Sequence, residues 1–359
     1  MRRDTRWIGY VTAMFGALYA ALGVGWAFGM PGFPFGVGDA ELVAGGDEAF
    51  GLSVLGTATP QITGIGVAIV GVAVAALCTA MTRRVGPRKF LIGAGIVLAV
   101  GLTVVIQDFR PLILVAYTPI LLISKPLFDW PANVGFAELV SWPRVNLLLL
   151  LLAGTAVAAT TWRYVRDTAD GCGECGRPAI DSKRLTRIGR IAVTVAVVVP
   201  LLYCATRWAW ALGFPLGLDA EAFAEGQREG LWLAGAALAS LGAGGAILTL
   251  GLVQRWGEVF PRWMIGLAGR RVPPMLAVVP ASLVSVLVTA AGFMYIRLVT
   301  VNGVSVKDLA AMLPETIWPL WGGALLVATI AYWWRRTACP ACDSGRAVSG
   351  KASQEAESR

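Results

Sequence analysis

The chain has 359 residues, 57% of them hydrophobic and 14% charged, with 30 Lys+Arg against 22 Asp+Glu. So few charges exclude an ordinary soluble domain, where roughly a quarter of residues are charged, and so much apolar content excludes disorder. The lack of any histidine removes His-ligated haem, His-containing metal sites and Ser-His-Asp or Cys-His catalysis.

Along the chain, apolar runs of about 20 residues, the length that crosses a bilayer, occupy 7–28, 62–81, 90–106, 145–161, 191–212, 231–253, 275–296 and 317–334. None holds an acidic residue. Backbone in hydrocarbon must close its own hydrogen bonds, so each run is predicted to be a helix. The first run follows Arg2, Arg3 and Arg6. It is longer than a signal-peptide core of about 7–15 residues and reads as a retained span. Small residues at Ala17, Ala21 and Gly25, and at Gly235, Ala239 and Ala243, predict stripes where helices approach closely.

A further apolar segment, 111–128, carries Pro111, Pro119, Lys125 and Pro126. With eight spans and a cytoplasmic N-terminus, the inner segments are 1–6, 82–90, 163–190, 254–271 and the tail from Arg335. They hold 23 of the 30 basic and 9 of the 22 acidic residues, leaving 7 basic and 13 acidic elsewhere. This is a positive-inside pattern. Counting 111–128 as a span would move two basic loops outside, so it is predicted to be re-entrant or interfacial. Basic residues split among five short inner segments mark topology, and no nucleic-acid partner is expected.

Landmarks recur in order in the two halves. Gly25-Trp26-Ala27-Phe28, Phe33-Pro34 and Asp39-Ala40-Glu41 parallel Arg207-Trp208-Ala209-Trp210, Phe214-Pro215 and Asp219-Ala220-Glu221. Arg83-Arg84 parallels Arg270-Arg271, and Trp142-Pro143 parallels Trp318-Pro319. Each half ends in a CxxC pair. An even number of spans per half gives a parallel repeat. The expected fold is thus an all-α integral membrane protein with eight transmembrane helices in a parallel 4+4 internal repeat, plus the segment 111–128. Its parts are a first repeat at 1–178, a cytoplasmic linker at 179–190, a second repeat at 191–343 and a tail at 344–359 whose composition predicts disorder. The expected location is a bacterial plasma membrane with both termini cytoplasmic.

The strings 201–217 and 251–274, with the two CxxC pairs, resemble a group of uncharacterised multi-pass membrane proteins of actinobacteria. Each half is also weakly similar to a four-helix bacterial membrane family of unknown function, through a short Trp-containing element ending its first helix. These resemblances imply topology and add no chemistry.

Cys78 and Cys204 stand singly in helices and read as small buried hydrophobes. Cys172, Cys175, Cys339 and Cys342 form two CxxC pairs on the side assigned to the reducing cytoplasm. Two such pairs can complete a tetrahedral four-thiolate site for structural Zn²⁺, joining the two repeats. A dithiol redox couple and unligated thiols are the alternatives. Nearby Asp170 and Glu174 do not favour a thiolate, and no βαβ pattern surrounds the pairs.

An ionisable residue within a span is a functional candidate. Arg207 is the one such residue in the eight runs. It could snorkel, pair with an acid, or bind a solute together with Trp208, Trp210, Trp26 and Lys125. Asp39, Glu41, Asp219 and Glu221 read as loop charges or helix caps, or as counterions to Arg207. The aromatic and Arg-rich 251–274 reads as a membrane-surface helix facing anionic lipid at the inner leaflet. The expected function is binding or transport of a small-molecule solute. A zinc-stapled scaffold or sensor and a membrane thiol–disulfide oxidoreductase are the alternatives. An enzyme is less expected, and no catalytic residue is assigned.

Overall fold

The computed structural model describes residues 6–44, 49–128, 140–168, 182–303 and 312–337. Among these the chain is helical, and the one β-bridge, Val259 with Arg271, is isolated. Eight helices among the described residues are long and apolar enough to cross a membrane, so this is a multi-pass α-helical membrane protein. Seven coincide with the predicted runs. The eighth is Arg110–Leu127, and the run 317–334, although helical over Trp318–Arg336, falls short of that apolarity. Its tryptophans and the terminal Arg335 lower it, since each indole carries a polar N–H on an apolar body and the guanidinium is charged.

The described residues fall into two compact units, one comprising 6–111 and 140–168, the other 112–128 and 182–337. In the first, α1 (Arg6–Ala27) leads through two short helices, α2 (Ala40–Ala44) and α3 (Ala49–Leu52), to α4 (Pro60–Arg83). Helix α5 (Arg88–Val100) runs into a π-helical turn, Gly101–Val105. Helix α6 (Arg110–Phe128) begins in this unit, and its remainder groups with the second. It is continuous through Pro119 and Pro126. Helix α7 (Trp142–Thr168) completes the first unit. Helix α1 packs on α4 and α7, and α5 packs on α7.

Glycine decides how α1 and α4 meet. A Cβ on Gly16 would lie 2.7 Å from Gly71 O, and one on Gly23 would lie 2.6 Å from Gly64 O. The helices are antiparallel and touch backbone to backbone. Gly9, Gly16 and Gly23 recur every seven residues, as do Gly64, Gly71 and Cys78, a period that holds one seam in contact along a left-handed crossing. The stripe expected at Ala17 and Ala21 lies on an exposed face. The true seam is offset from it because a seven-residue period, rather than a four-residue one, tracks the partner.

In the second unit, α8 (Ser182–Ala211) is followed by the short α9 (Ala220–Arg228), α10 (Leu231–Leu250), α11 (Pro274–Asn302) and α12 (Trp318–Arg336). Helix α8 packs on α10 and α12, and α11 packs on α12. The small-residue stripe of α10 faces α8 as expected: Gly235 lies against the Arg207 side chain, and Ala239 is fully buried. Cys78 and Cys204 are buried, and the Cys204 thiol donates to Ala239 O at 3.1 Å.

The stretch 251–274 is not a surface helix. After a 3₁₀ turn at Arg255–Gly257, Phe260 N donates to Arg270 O (3.0 Å), Gly269 N to Phe260 O (3.0 Å) and Val272 N to Glu258 O (2.9 Å), which makes a hairpin. Pro261, Gly266, Gly269 and Pro273 interrupt any longer helix there. Helix α12 fastens the hairpin at its carbonyls. The Tyr332 hydroxyl donates to Gly257 O at 2.7 Å, Arg336 Nη2 to Val272 O at 2.7 Å, and Arg335 to Leu252 O.

Candidate functional site

Arg207 lies in the last two turns of α8 and needs a partner once the helix is buried in apolar surroundings. The partner is Glu315, 108 residues away in sequence and 2% exposed, which Arg207 Nη2 reaches as an ion pair. Helical spacing puts Tyr203 one turn before Arg207. The guanidinium carbon stands 4.6 Å from the Tyr203 ring centroid and 4.1 Å from that of Trp210, within cation–π range. Trp318, opening α12, packs edge-on against both Tyr203 and Tyr295, at 5.4 and 5.8 Å.

The pair is held but not saturated. Arg207 Nη1, Glu315 Oε2 and Trp318 Nε1 are buried with no hydrogen-bond partner among the described residues. Burial pushes the Glu315 carboxyl above its ordinary range, opposed by the adjacent Arg207 guanidinium. One donor of a planar cation, one acceptor of a carboxylate and one indole N–H are thus left without partners, the guanidinium lying over the Tyr203 and Trp210 rings and the indole edge-on to Tyr203 and Tyr295. Leaving such groups unpaired costs about 1–3 kcal/mol each.

The remaining predicted residues are placed differently. Trp208 turns away: 38% exposed, it donates Nε1 to Ser240 Oγ at 3.1 Å. Trp26, 1% exposed, belongs to the core of the first unit, edge-on to Phe33 and Phe35. Lys125 lies in the last turn of α6. Asp219 caps α9, accepting from Glu221 N at 3.4 Å, and the counterion of Arg207 is Glu315. Cys172, Cys175, Cys339 and Cys342 lie outside the described residues. Among the described residues no cluster of three or more His, Cys, Asp or Glu side chains could hold a metal.

The sequence reading missed Glu315 and a second charged cluster in the first unit. Arg110 Nε donates to Asp108 Oδ2 at 2.8 Å, its Nη2 stands 2.7 Å from the same oxygen, and its Nη1 reaches Asp39. All three residues are at most 4% exposed. Glu41 lies 3.7 Å from Arg110 and 2.9 Å from Arg144. Burial pushes the Asp108 carboxyl up, and Arg110 opposes that shift. An Asp-x-Arg between two apolar runs, and an acid just before Trp-Pro, are the signals that could have found these residues.

Two apolar cavities flank these elements, each within its own unit. One of about 810 Å³ lies in the second unit, walled by the hairpin residues Trp256, Phe260 and Trp263 and by α10, α11 and α12. One of about 370 Å³ lies in the first. Comparison with family models, curated proteins and solved structures finds no match to this chain.

Proposed function

We propose that this membrane protein binds, and carries or senses, a small polar solute at the Arg207–Glu315 pair. The observation that carries this reading is the set of unpartnered buried atoms, Arg207 Nη1, Glu315 Oε2 and Trp318 Nε1. Their chemistry suits a zwitterion. A carboxylate would accept from Arg207 and Trp318, while an ammonium group would meet Glu315 and the faces of Tyr203 and Tyr295. The test is tryptophan fluorescence of the purified full chain titrated with glycine, acetate and methylammonium. A saturable response to glycine alone, lost in Arg207→Ala, is expected. Equal responses to all three, or none, would refute it.

In this proposal the chain is a parallel 4+4 repeat in a bacterial plasma membrane, with cytoplasmic termini and α6 re-entrant or interfacial. Three features support the repeat. In each unit the first long helix packs on the second and fourth, and the third packs on the fourth. The first helix ends in the same turn: Phe28 N and Leu212 N donate four residues back, to Val24 O and Trp208 O, and Gly29 and Gly213 follow at φ +89° and +94°. Asp39 and Asp219 then each accept from the backbone N two residues on. In this register Trp26 answers to Trp210 rather than Trp208, and Tyr19 to Tyr203. The positive-inside charge distribution supports the sidedness.

The two CxxC pairs would meet on the cytoplasmic face as a four-thiolate Zn²⁺ clamp joining the repeats. Anionic lipid would meet the hairpin, whose Arg255, Arg262, Arg270 and Arg271 flank the aromatic cavity walls.

A further inference from the structure

The larger cavity, of about 810 Å³, lies in the second unit, where α10 leaves the membrane and α11 enters it. Helix α10 packs on α8, and α11 packs on α12. The cavity occupies the space left between α10 and α11. Its wall is built from the last turns of α10, the first three turns of α11, Trp321 and Leu325 of α12, and the hairpin. No charged residue lines it, and the one hydroxyl in the wall, that of Thr249, donates to Gly245 O at 2.8 Å. A charged or polar occupant would give up its hydration there without gaining a partner.

The depth of the cavity is that of one leaflet. Val284, the wall residue of α11 farthest from the hairpin, follows Pro274 at the start of that helix by about 15 Å, at about 1.5 Å per residue. The hydrocarbon core is about 30 Å thick, so the cavity runs from the membrane surface to about its midplane. It also opens to the side. Ile247, Leu248 and Leu276 belong to the wall and are exposed, and in a bilayer that exposure is to lipid tails. A lipid chain can enter between α10 and α11 and leave its headgroup at the hairpin. The hairpin suits an anionic headgroup. Residues 254–271 hold four Arg and one acid, Glu258, and Glu258 stands against Arg335 and Arg336, at 3.9 and 4.0 Å. Arg255, Arg262, Arg270 and Arg271 are exposed. Three of them, Arg255, Arg262 and Arg271, adjoin in the chain the wall residues Trp256, Trp263 and Val272. Tryptophan concentrates at headgroup depth in membrane proteins, and arginine there attracts anionic lipid.

We propose that the second unit seats an acyl chain of an anionic phospholipid in this cavity, with the phosphate held by the hairpin arginines. This rests on the reading that anionic lipid meets the hairpin, and adds to it a seat of defined depth. The test uses the full chain in phosphatidylcholine nanodiscs doped with one of two probes, a phosphatidylglycerol and a phosphatidylcholine that carry the same diazirine-bearing palmitoyl chain, and locates adducts by mass spectrometry. The phosphatidylglycerol probe should label Trp321 and Leu325 several-fold more than the phosphatidylcholine probe, and unlabelled phosphatidylglycerol should compete. Gly245 lines the cavity with open space beside it. Gly245→Trp should therefore abolish this labelling, and Ala281→Phe, also in the wall, does the same if Gly245→Trp does not fold. Arg255→Gln, Arg262→Gln, Arg270→Gln and Arg271→Gln combined should lower phosphatidylglycerol labelling to the phosphatidylcholine level, and an unchanged preference would refute the role given to the arginines. Equal labelling by the two probes would overturn both the proposal and the reading beneath it. Phosphatidylglycerol-selective adducts confined to the hairpin, or adducts at Trp321 and Leu325 that survive both cavity-filling variants, would overturn the seat and leave the surface attraction standing.

Discussion

Gly23 of α1 and Gly64 of α4 face each other so closely that a Cβ on either would stand 2.6 Å from the carbonyl oxygen of the other. Backbone on both sides leaves neither helix a flexible side chain to move aside. Gly23→Val and Gly64→Val should therefore each destabilise the protein by about 2 kcal/mol or more. Ala17→Leu and Ala21→Leu, on the exposed face of α1, should be near neutral. Thermal unfolding in detergent separates the two outcomes.

Arg110 holds two buried carboxylates, Asp108 and Asp39. Arg110→Met would strand both, and breaking a buried ion pair costs about 3–5 kcal/mol. Burial already raises the Asp108 carboxyl, and losing Arg110 removes the group that opposes this. A carboxyl whose pKa is higher folded than unfolded binds more protons in the native state between the two values, so stability there rises as pH falls. Arg110→Met should accordingly be least stable near neutral pH and recover part of the loss on acidification, more than wild type does. Unfolding midpoints across pH 4–8, on the order of the window where carboxyl groups of this kind titrate, check this.

The 251–274 hairpin hangs on α12 through Tyr332, Arg335 and Arg336. Arg336→Ala gives up its bonds to Val272 O and Glu258 O. The hairpin should then open locally, which raises trypsin cleavage at Arg262 and Arg270 several-fold without a matching change in helicity. Cleavage at the wild-type rate would show that the hairpin keeps its place without this arginine.

The proposed clamp predicts one zinc per chain, with loss on Cys→Ser at any of Cys172, Cys175, Cys339 or Cys342. A chelator should lower thermal stability in wild type and leave the Cys→Ser variants unchanged. Elemental analysis and unfolding midpoints with and without chelator read both effects. A reversible disulfide without metal would point to the thiol–disulfide alternative.

The apolar runs were legible because each is a local property, and seven of the eight membrane-length helices sit where those runs lie. The pairing of Arg207 was half legible. Its isolation in a span marked it out, but Glu315 stands outside every apolar run and 108 residues away. Trp208 and Trp210 were indistinguishable by composition. Two residues apart on a helix, they point some 200° from each other, so one stacks on Arg207 and the other bonds Ser240. The stretch 251–274 misled because its aromatic and arginine content suits an interfacial helix, whereas its prolines and glycines and the carbonyl-seeking arginines of α12 make it a hairpin.

The sequence alone established that this chain lives in a bilayer as a set of helices. In hydrocarbon the backbone must satisfy itself within each segment, and that requirement is written residue by residue in apolar length. Tertiary structure alone decided which distant polar atoms meet: Arg207 with Glu315, Asp39 with Arg110, Tyr19 with Asn146. Such meetings depend on the rotational phase and closest approach of helices far apart in sequence, which no local pattern records.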